Sequence, residues 1–131
     1  MAAEHSWIED DDIVAFYLSR FQGSRFLGVS LPTIAKILSE LPAPDGSRAV
    51  PMSAGSLLYR IGNFDFLDGK PGWSNYAKNK SLPVYEKYKN ATIIELRTLV
   101  IQILGITVKD SVERSFQEFC KKFLKPELTI K

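Results

Sequence analysis

Ser6-Trp7-Ile8-Glu9-Asp10-Asp11-Asp12-Ile13-Val14 opens the stretch whose reading decides the fold, and that stretch runs on to Leu67. Ser6 with Glu9 three residues later has the form of a capping box. The acids of the first turn suit the positive end of a helix dipole. Ile13, Tyr17 and Phe21 then recur at every fourth position, with Val14 and Leu18 beside them. That spacing predicts a helix from Trp7 or Ile8 to Phe21, stopped at Gly23. Ser30-Leu31-Pro32 opens a second helix, which runs to about Leu41 and carries Ile34, Ala35, Ile37, Leu38 and Leu41. Proline is tolerated there because first-turn amides have no helical partner. Pro42, Pro44, Asp45-Gly46 and Pro51 make a loop. Ser53 opens a third helix, which ends near Phe64.

Outward from this unit the punctuation stays clear. Asp68-Gly69-Lys70-Pro71-Gly72 reads as a turn. Trp73 to Lys80 reads as irregular, and at most a short ribbon is expected around Phe64 to Trp73. Ser81-Leu82-Pro83 begins a short helix through Tyr88. Thr92-Ile93-Ile94-Glu95 is a second capping box, and Gly105 ends the helix it starts. That helix is apolar around most of its circumference, as suits a central core helix or a dimer seam. A last helix spans about Asp110 to Leu124, with Val112, Phe116, Phe119 and Phe123 on one face, and Pro126 stops it.

Composition sets the frame. A chain of 131 residues with 45% hydrophobic and 24% charged residues belongs to the globular class and suits a single domain. The run Leu99 to Leu104 is broken by Gln102, so no segment reaches the ~20 residues of a membrane span. No basic region followed by an apolar stretch marks the N-terminus, and a cytoplasmic address is the default expectation. A single cysteine, Cys120, forms neither an intrachain disulfide framework nor a zinc knuckle. The net charge of +2 hides an asymmetry: residues 1–50 sum to −3 and residues 51–131 to +5. Lys70, Lys78, Lys80, Lys87 and Lys89 form a cluster opposed only by Glu86, and such a cluster can follow a phosphate backbone or simply be a solvated surface.

Catalytic chemistry finds little support. His5 is the sole histidine and lies close to the N-terminus. Cys120 sits between phenylalanines, as a structural cysteine does. No phosphate-binding glycine motif or calcium loop occurs. The chain is therefore read as a non-enzyme with no cofactor and no metal.

The third helix carries the recognition argument. On a wheel at 100° per residue, Leu57, Ile61 and Phe64 fall within about 60° of one another. Ser56, Tyr59 and Asn63 lie opposite, and Arg60 sits at the boundary. Asparagine can pair with adenine and arginine with guanine in the major groove, while hydroxyls suit phosphates. An ordinary amphipathic helix has the same pattern. The segment Trp73-Ser74-Asn75-Tyr76, with Lys78, Asn79 and Lys80, interleaves aromatic, amide and basic groups. Such a segment can stack on a base and hold phosphates, or it can pin a loop to the core.

Trp7 with its following acids, then Ile34-Ala35, then Arg60-Ile61-Gly62-Asn63 resembles the Myb/SANT tri-helical DNA-binding pattern. Leu31 and Ile61 stand at that family's second and third aromatic positions. The resemblance implies that the third helix is a recognition helix with Arg60 and Asn63 facing DNA. The run Ser56-Leu57, Arg60-Ile61, Asn63-Phe64, Leu67-Asp68, followed by Gly72, Ser74-Asn75 and Lys78, is similar to an N-terminal module of prokaryotic restriction-type proteins. That resemblance implies a DNA-reading module of a defence or restriction-modification system, sensitive to base modification.

The expected architecture is thus mostly α, with an N-terminal three-helix helix-turn-helix unit over residues 1–68. A basic aromatic loop and short helix follow over 69–90, and a C-terminal helical pair over 91–131. The expected partner is double-stranded DNA, bound through Ser53, Ser56, Tyr59, Arg60, Asn63, Lys70, Trp73, Ser74, Asn75, Tyr76, Lys78 and Lys80. The alternative is a protein-docking or oligomerisation adaptor with a seam formed by Ile93, Leu96, Leu99, Val100, Phe116, Phe119 and Phe123. An inhibitor of a nucleic-acid enzyme is a third expectation.

Overall fold

A computed structural model describes residues 8–21, 26–41, 53–71 and 81–123. These residues form six helices: α1 (Glu9–Arg20), α2 (Leu31–Ser39), α3 (Ala54–Leu67), α4 (Leu82–Tyr88), α5 (Ile93–Leu104) and α6 (Asp110–Phe123). No strand occurs among the described residues. The chain is mostly helical, as expected. The ribbon expected after Phe64 is absent there: Phe64 to Leu67 is the last turn of α3, and Asp68-Gly69-Lys70 closes it.

The centre of the molecule is α1. Every residue from Asp11 to Ser19 is buried, so the helix is covered around its whole circumference. It packs against α3, α5 and α4. The aliphatic α5, which reads in sequence as a central core helix or a dimer seam, has a narrower inner face of Ile93, Leu96, Val100 and Leu104 and leaves Ile94 exposed. A helix buried on all sides must pair its polar groups inside. Asp11 accepts the Ile8 amide, Asp12 meets Arg60, and the Ser19 hydroxyl donates to Asp65. Ser6 and Trp7, assigned to the first cap, lie outside the described residues. The cap of α1 seen here is the Asp11 carboxylate on the Ile8 N–H at 3.1 Å.

α1 and α3 run parallel and in register. Asp12 faces Arg60, Phe16 stacks on Phe64 with ring centroids 5.3 Å apart, and Arg20 faces Asp68. Each pair is separated by 48 positions, and successive pairs step by four residues, one turn of each helix. The charge order reverses along the seam, acid to base at the start and base to acid at the end. α2 supplies the return between the two parallel helices. Ser30 caps it by accepting the Thr33 amide at 3.3 Å, and Ile34, Ala35 and Leu38 are buried.

α5 begins with the expected capping box: the Thr92 hydroxyl accepts the Glu95 amide at 3.1 Å, and Glu95 accepts the Thr92 amide at 2.8 Å. Gly105 ends it in a left-handed conformation, φ 64°, which costs glycine little. The proposed oligomer seam is used within the chain itself. Ile93, Leu96, Val100 and Phe116 are buried, while Leu99 and Phe119 are half-buried against the same core. The side chain of Phe123 lies outside the described residues. α5 and α6 do not form a closely packed antiparallel pair; α6 rests on the Phe26–Gly28 segment and on Arg97.

Candidate functional site

α3 has two different halves. Ser53 caps it, accepting the Ser56 amide at 3.0 Å, and the two serine hydroxyls lie 3.1 Å apart. Ser53, Ser56 and Tyr59 are exposed, the last two as the wheel predicts, and Leu58 and Phe66 join them on the outside. Three of the four exposed large hydrophobic side chains among the described residues are on α3: Leu58 at 52%, Tyr59 at 37% and Phe66 at 37%.

Arg60 and Asn63 lie elsewhere than expected. Arg60 is buried, and its Nε donates to Asp12 at 2.6 Å. Asn63 is only 1% exposed, and neither atom of its amide has a hydrogen-bond partner among the described residues. The outward placement of Asn63 read from the wheel is corrected, as is the outward Arg60 that the Myb/SANT resemblance implies. Ser56 and Asn63 are seven residues apart, so they share one wheel position. A wheel assumes the same neighbours along the whole helix. Two turns beyond Ser56, the inward surface widens beside the Phe16–Phe64 stack and takes Asn63 in.

Burial governs the charge of Asp12. Removal from water pushes its pKa up from the usual carboxylate value to about 6, with Asp11 and Glu9 adding to the rise, while the Arg60 guanidinium pulls the other way. In sequence Asp12 has the look of helix-dipole chemistry, because its partner Arg60 lies 48 positions away.

The far end of the seam is a second unforeseen knot. Arg20 grips Asp68 through Nη2 at 2.6 Å and Nε at 3.3 Å, and its Nη1 donates to the Lys89 carbonyl. Its guanidinium lies 4.6 Å from the Phe16 ring centroid, and the Tyr85 ring meets Phe16 edge-on. Burial and the Asp68 carboxylate raise the Tyr85 hydroxyl pKa. No local signal could have paired residues 48 apart.

Lys70 is exposed, and its Nζ donates to the Ser19 carbonyl at 2.9 Å and stands 3.5 Å from Asp65. Lys87 pairs with Glu9 and Lys89 with Glu86, all at exposed positions. Trp73, Ser74, Asn75, Tyr76, Lys78 and Lys80 lie outside the described residues. Among the described residues, no cluster of His, Cys, Asp and Glu side chains could hold a metal ion, and no helix is long and apolar enough to cross a membrane. Cys120 is half-buried, and burial raises its thiol pKa.

Comparison with protein-family models, with curated proteins and with solved structures gives no match to this chain.

Proposed function

We propose that the chain is a duplex-DNA-binding module that lays the exposed amino-terminal half of α3 against the sugar-phosphate backbone. The observation that carries this reading is the exposed hydroxyl trio Ser53, Ser56 and Tyr59 at the start of a helix whose inner face is fixed by α1. Hydroxyls and helix amino ends are suitable phosphate contacts. The excess of +5 over residues 51–131 supports the same partner. The exposed pairs of Lys87 and Lys89 with carboxylates are weak and exchange readily for phosphate. Arg60 and Asn63 have structural roles in this reading. Lys78, Lys80, Trp73 and Tyr76 supply further backbone and base contacts.

The test is fluorescence anisotropy with a random duplex, a single strand, and duplexes bearing methylated adenine or cytosine, each at two salt concentrations. Saturable duplex binding that weakens steeply with salt supports the proposal. A preference for one methylated duplex supports a restriction-type role. No binding at low salt overturns it.

A protein-docking adaptor is the second reading, favoured by the apolar exposure of Leu58, Tyr59 and Phe66. The two readings separate by substitution. Ser56→Ala and Tyr59→Ala weaken duplex binding in the first and Leu58→Ser does not. In the second, Leu58→Ser and Phe66→Ser abolish partner binding and Ser56→Ala is silent.

A further inference from the structure

α6 enters the core at one point. Phe116 is its buried side chain among those described, while Val112, Phe119 and Cys120 are half-buried. Ser111, Arg114, Ser115, Gln117 and Glu118 face solvent. By contrast, α1 buries nine consecutive residues.

The seat of α6 is a loop and one guanidinium. The Phe26 ring meets Phe116 and Phe119 at centroid distances of 5.3 Å and 5.0 Å. A Cβ at Gly28 would stand 3.2 Å from Val112 Cγ2, so Val112 sits against bare backbone. The Arg97 guanidinium lies 4.1 Å from the Phe116 ring centroid and donates to Glu113 at 2.8 Å. The Glu113 side chain is 41% exposed, so water competes for that contact. A left-handed Gly105 and the non-helical residues Ile106 to Lys109 join α6 to α5.

We propose that α6 is a releasable arm. It lifts from the Phe26–Arg97 seat while α1 to α5 stay folded, and its release bares an aromatic ring beside a guanidinium. An element opens with a free energy set by what it buries, and the described side chains of α6 bury little. The five-residue connector can absorb the motion because none of its residues is helical. The proposal does not depend on what binds α3.

Hydrogen exchange followed by mass spectrometry on the full chain tests it. Amides of α6 should exchange through openings at least ~10-fold more frequent than those of α1, with a shallower dependence on urea because less surface is exposed. Glu113→Gln should speed α6 exchange by roughly 2- to 5-fold, as the loss of a solvent-facing pair implies. Phe64→Leu should speed α1 exchange by more than ~10-fold and leave α6 within about twofold, because the α1–α3 seam is not broken when the arm lifts. Equal rates and equal urea slopes for α6 and α1 would overturn the proposal. If Phe64→Leu fails to fold, the urea series on the unaltered chain decides alone.

Discussion

Two arginines join distant parts of the chain, and their surroundings give the same chemistry opposite consequences. Arg60 and Asp12 are closed off together, at side-chain exposures of 9% and 8%. Arg97 is as deeply buried, at 6%, but its partner Glu113 is 41% exposed. At the first pair burial outweighs attraction, and the carboxyl pKa rises to about 6. At the second the hydrogen bond from Arg97 outweighs burial, and the Glu113 pKa falls. The first pair fixes α3 on the central helix and so fixes the face that α3 presents. The second fastens an outer helix that hangs from a loop. Distance alone does not rank the two pairs, since both have contacts below 3 Å: 2.6 Å and 2.8 Å. Access of water to the acid does.

The largest test of that contrast removes each acid. Asp12→Ala removes the acid that faces the buried Arg60 guanidinium and should cost about 3–5 kcal/mol in urea unfolding. Replacing both partners, Asp12→Leu with Arg60→Met, should recover most of the loss, because no charge is then left buried. A loss below about 1 kcal/mol from Asp12→Ala would mean that water reaches the pair.

The pH dependence sharpens the comparison. The folded-state pKa of Asp12 is raised, so its contribution is fully present below pH 4 and is lost as the pH rises through about 6. A neutral Asp12 still accepts the Arg60 Nε–H through its carbonyl oxygen. The folded-state pKa of Glu113 is lowered, so its contribution is present above the ordinary glutamate range and is lost as the pH falls through the folded value. Over pH 4–6 Asp12 alone should favour the acid side by at most about 3 kcal/mol. Urea melts at pH 4.5 and 7.5 on the unaltered chain and on Asp12→Asn isolate this contribution. Identical pH slopes for the two proteins would rule out burial as the governing effect at Asp12.

Asn63 gives a third probe of the sealed region. Its amide is buried with both atoms unpartnered among the described residues, three residues from Arg60. An unmade buried hydrogen bond costs about 1–3 kcal/mol. Asn63→Leu keeps the branched outline of the amide but takes more room, so crowding offsets part of the gain and the protein should be stabilised by at most about 1 kcal/mol in thermal or urea unfolding. A loss larger than the about 1–3 kcal/mol of overpacking would show that the amide has a hydrogen-bond partner in solution.

Features set by neighbours in sequence were legible, and features set by neighbours in space were not. The start of α5 follows from Thr92 and Glu95 and its end from Gly105, because caps are made within four residues. Ser30 and Ser53 mark α2 and α3 for the same reason. The central place of α1 was not legible because Asp12 and Ser19 look like surface residues until their partners on α3, Arg60 and Asp65, are known. α5, richer in aliphatic residues, looks more central than it is. On α3 the exposed Ser56 and Tyr59 lie on the face read from the wheel. Asn63 is not exposed with them, although it occupies the same wheel position as Ser56, because the packing around α3 changes along its length.

Removing Glu113 should have the smallest effect. Arg97 would keep two further partners, since its Nε donates to the Phe26 carbonyl at 2.9 Å and its guanidinium rests on the Phe116 ring. Glu113→Ala therefore leaves the guanidinium its carbonyl and ring contacts, and the lost pair is one that water already screens on the acid side. The expected cost is below about 1 kcal/mol, against the 3–5 kcal/mol expected at Asp12. Adding 1 M salt should shrink the Glu113 effect and leave that of Asp12 nearly unchanged, because the Debye length falls to about 3 Å only where ions can enter. Equal losses at the two acids, or equal salt sensitivity, would mean that burial does not separate the two pairs and that α6 is held as firmly as α3.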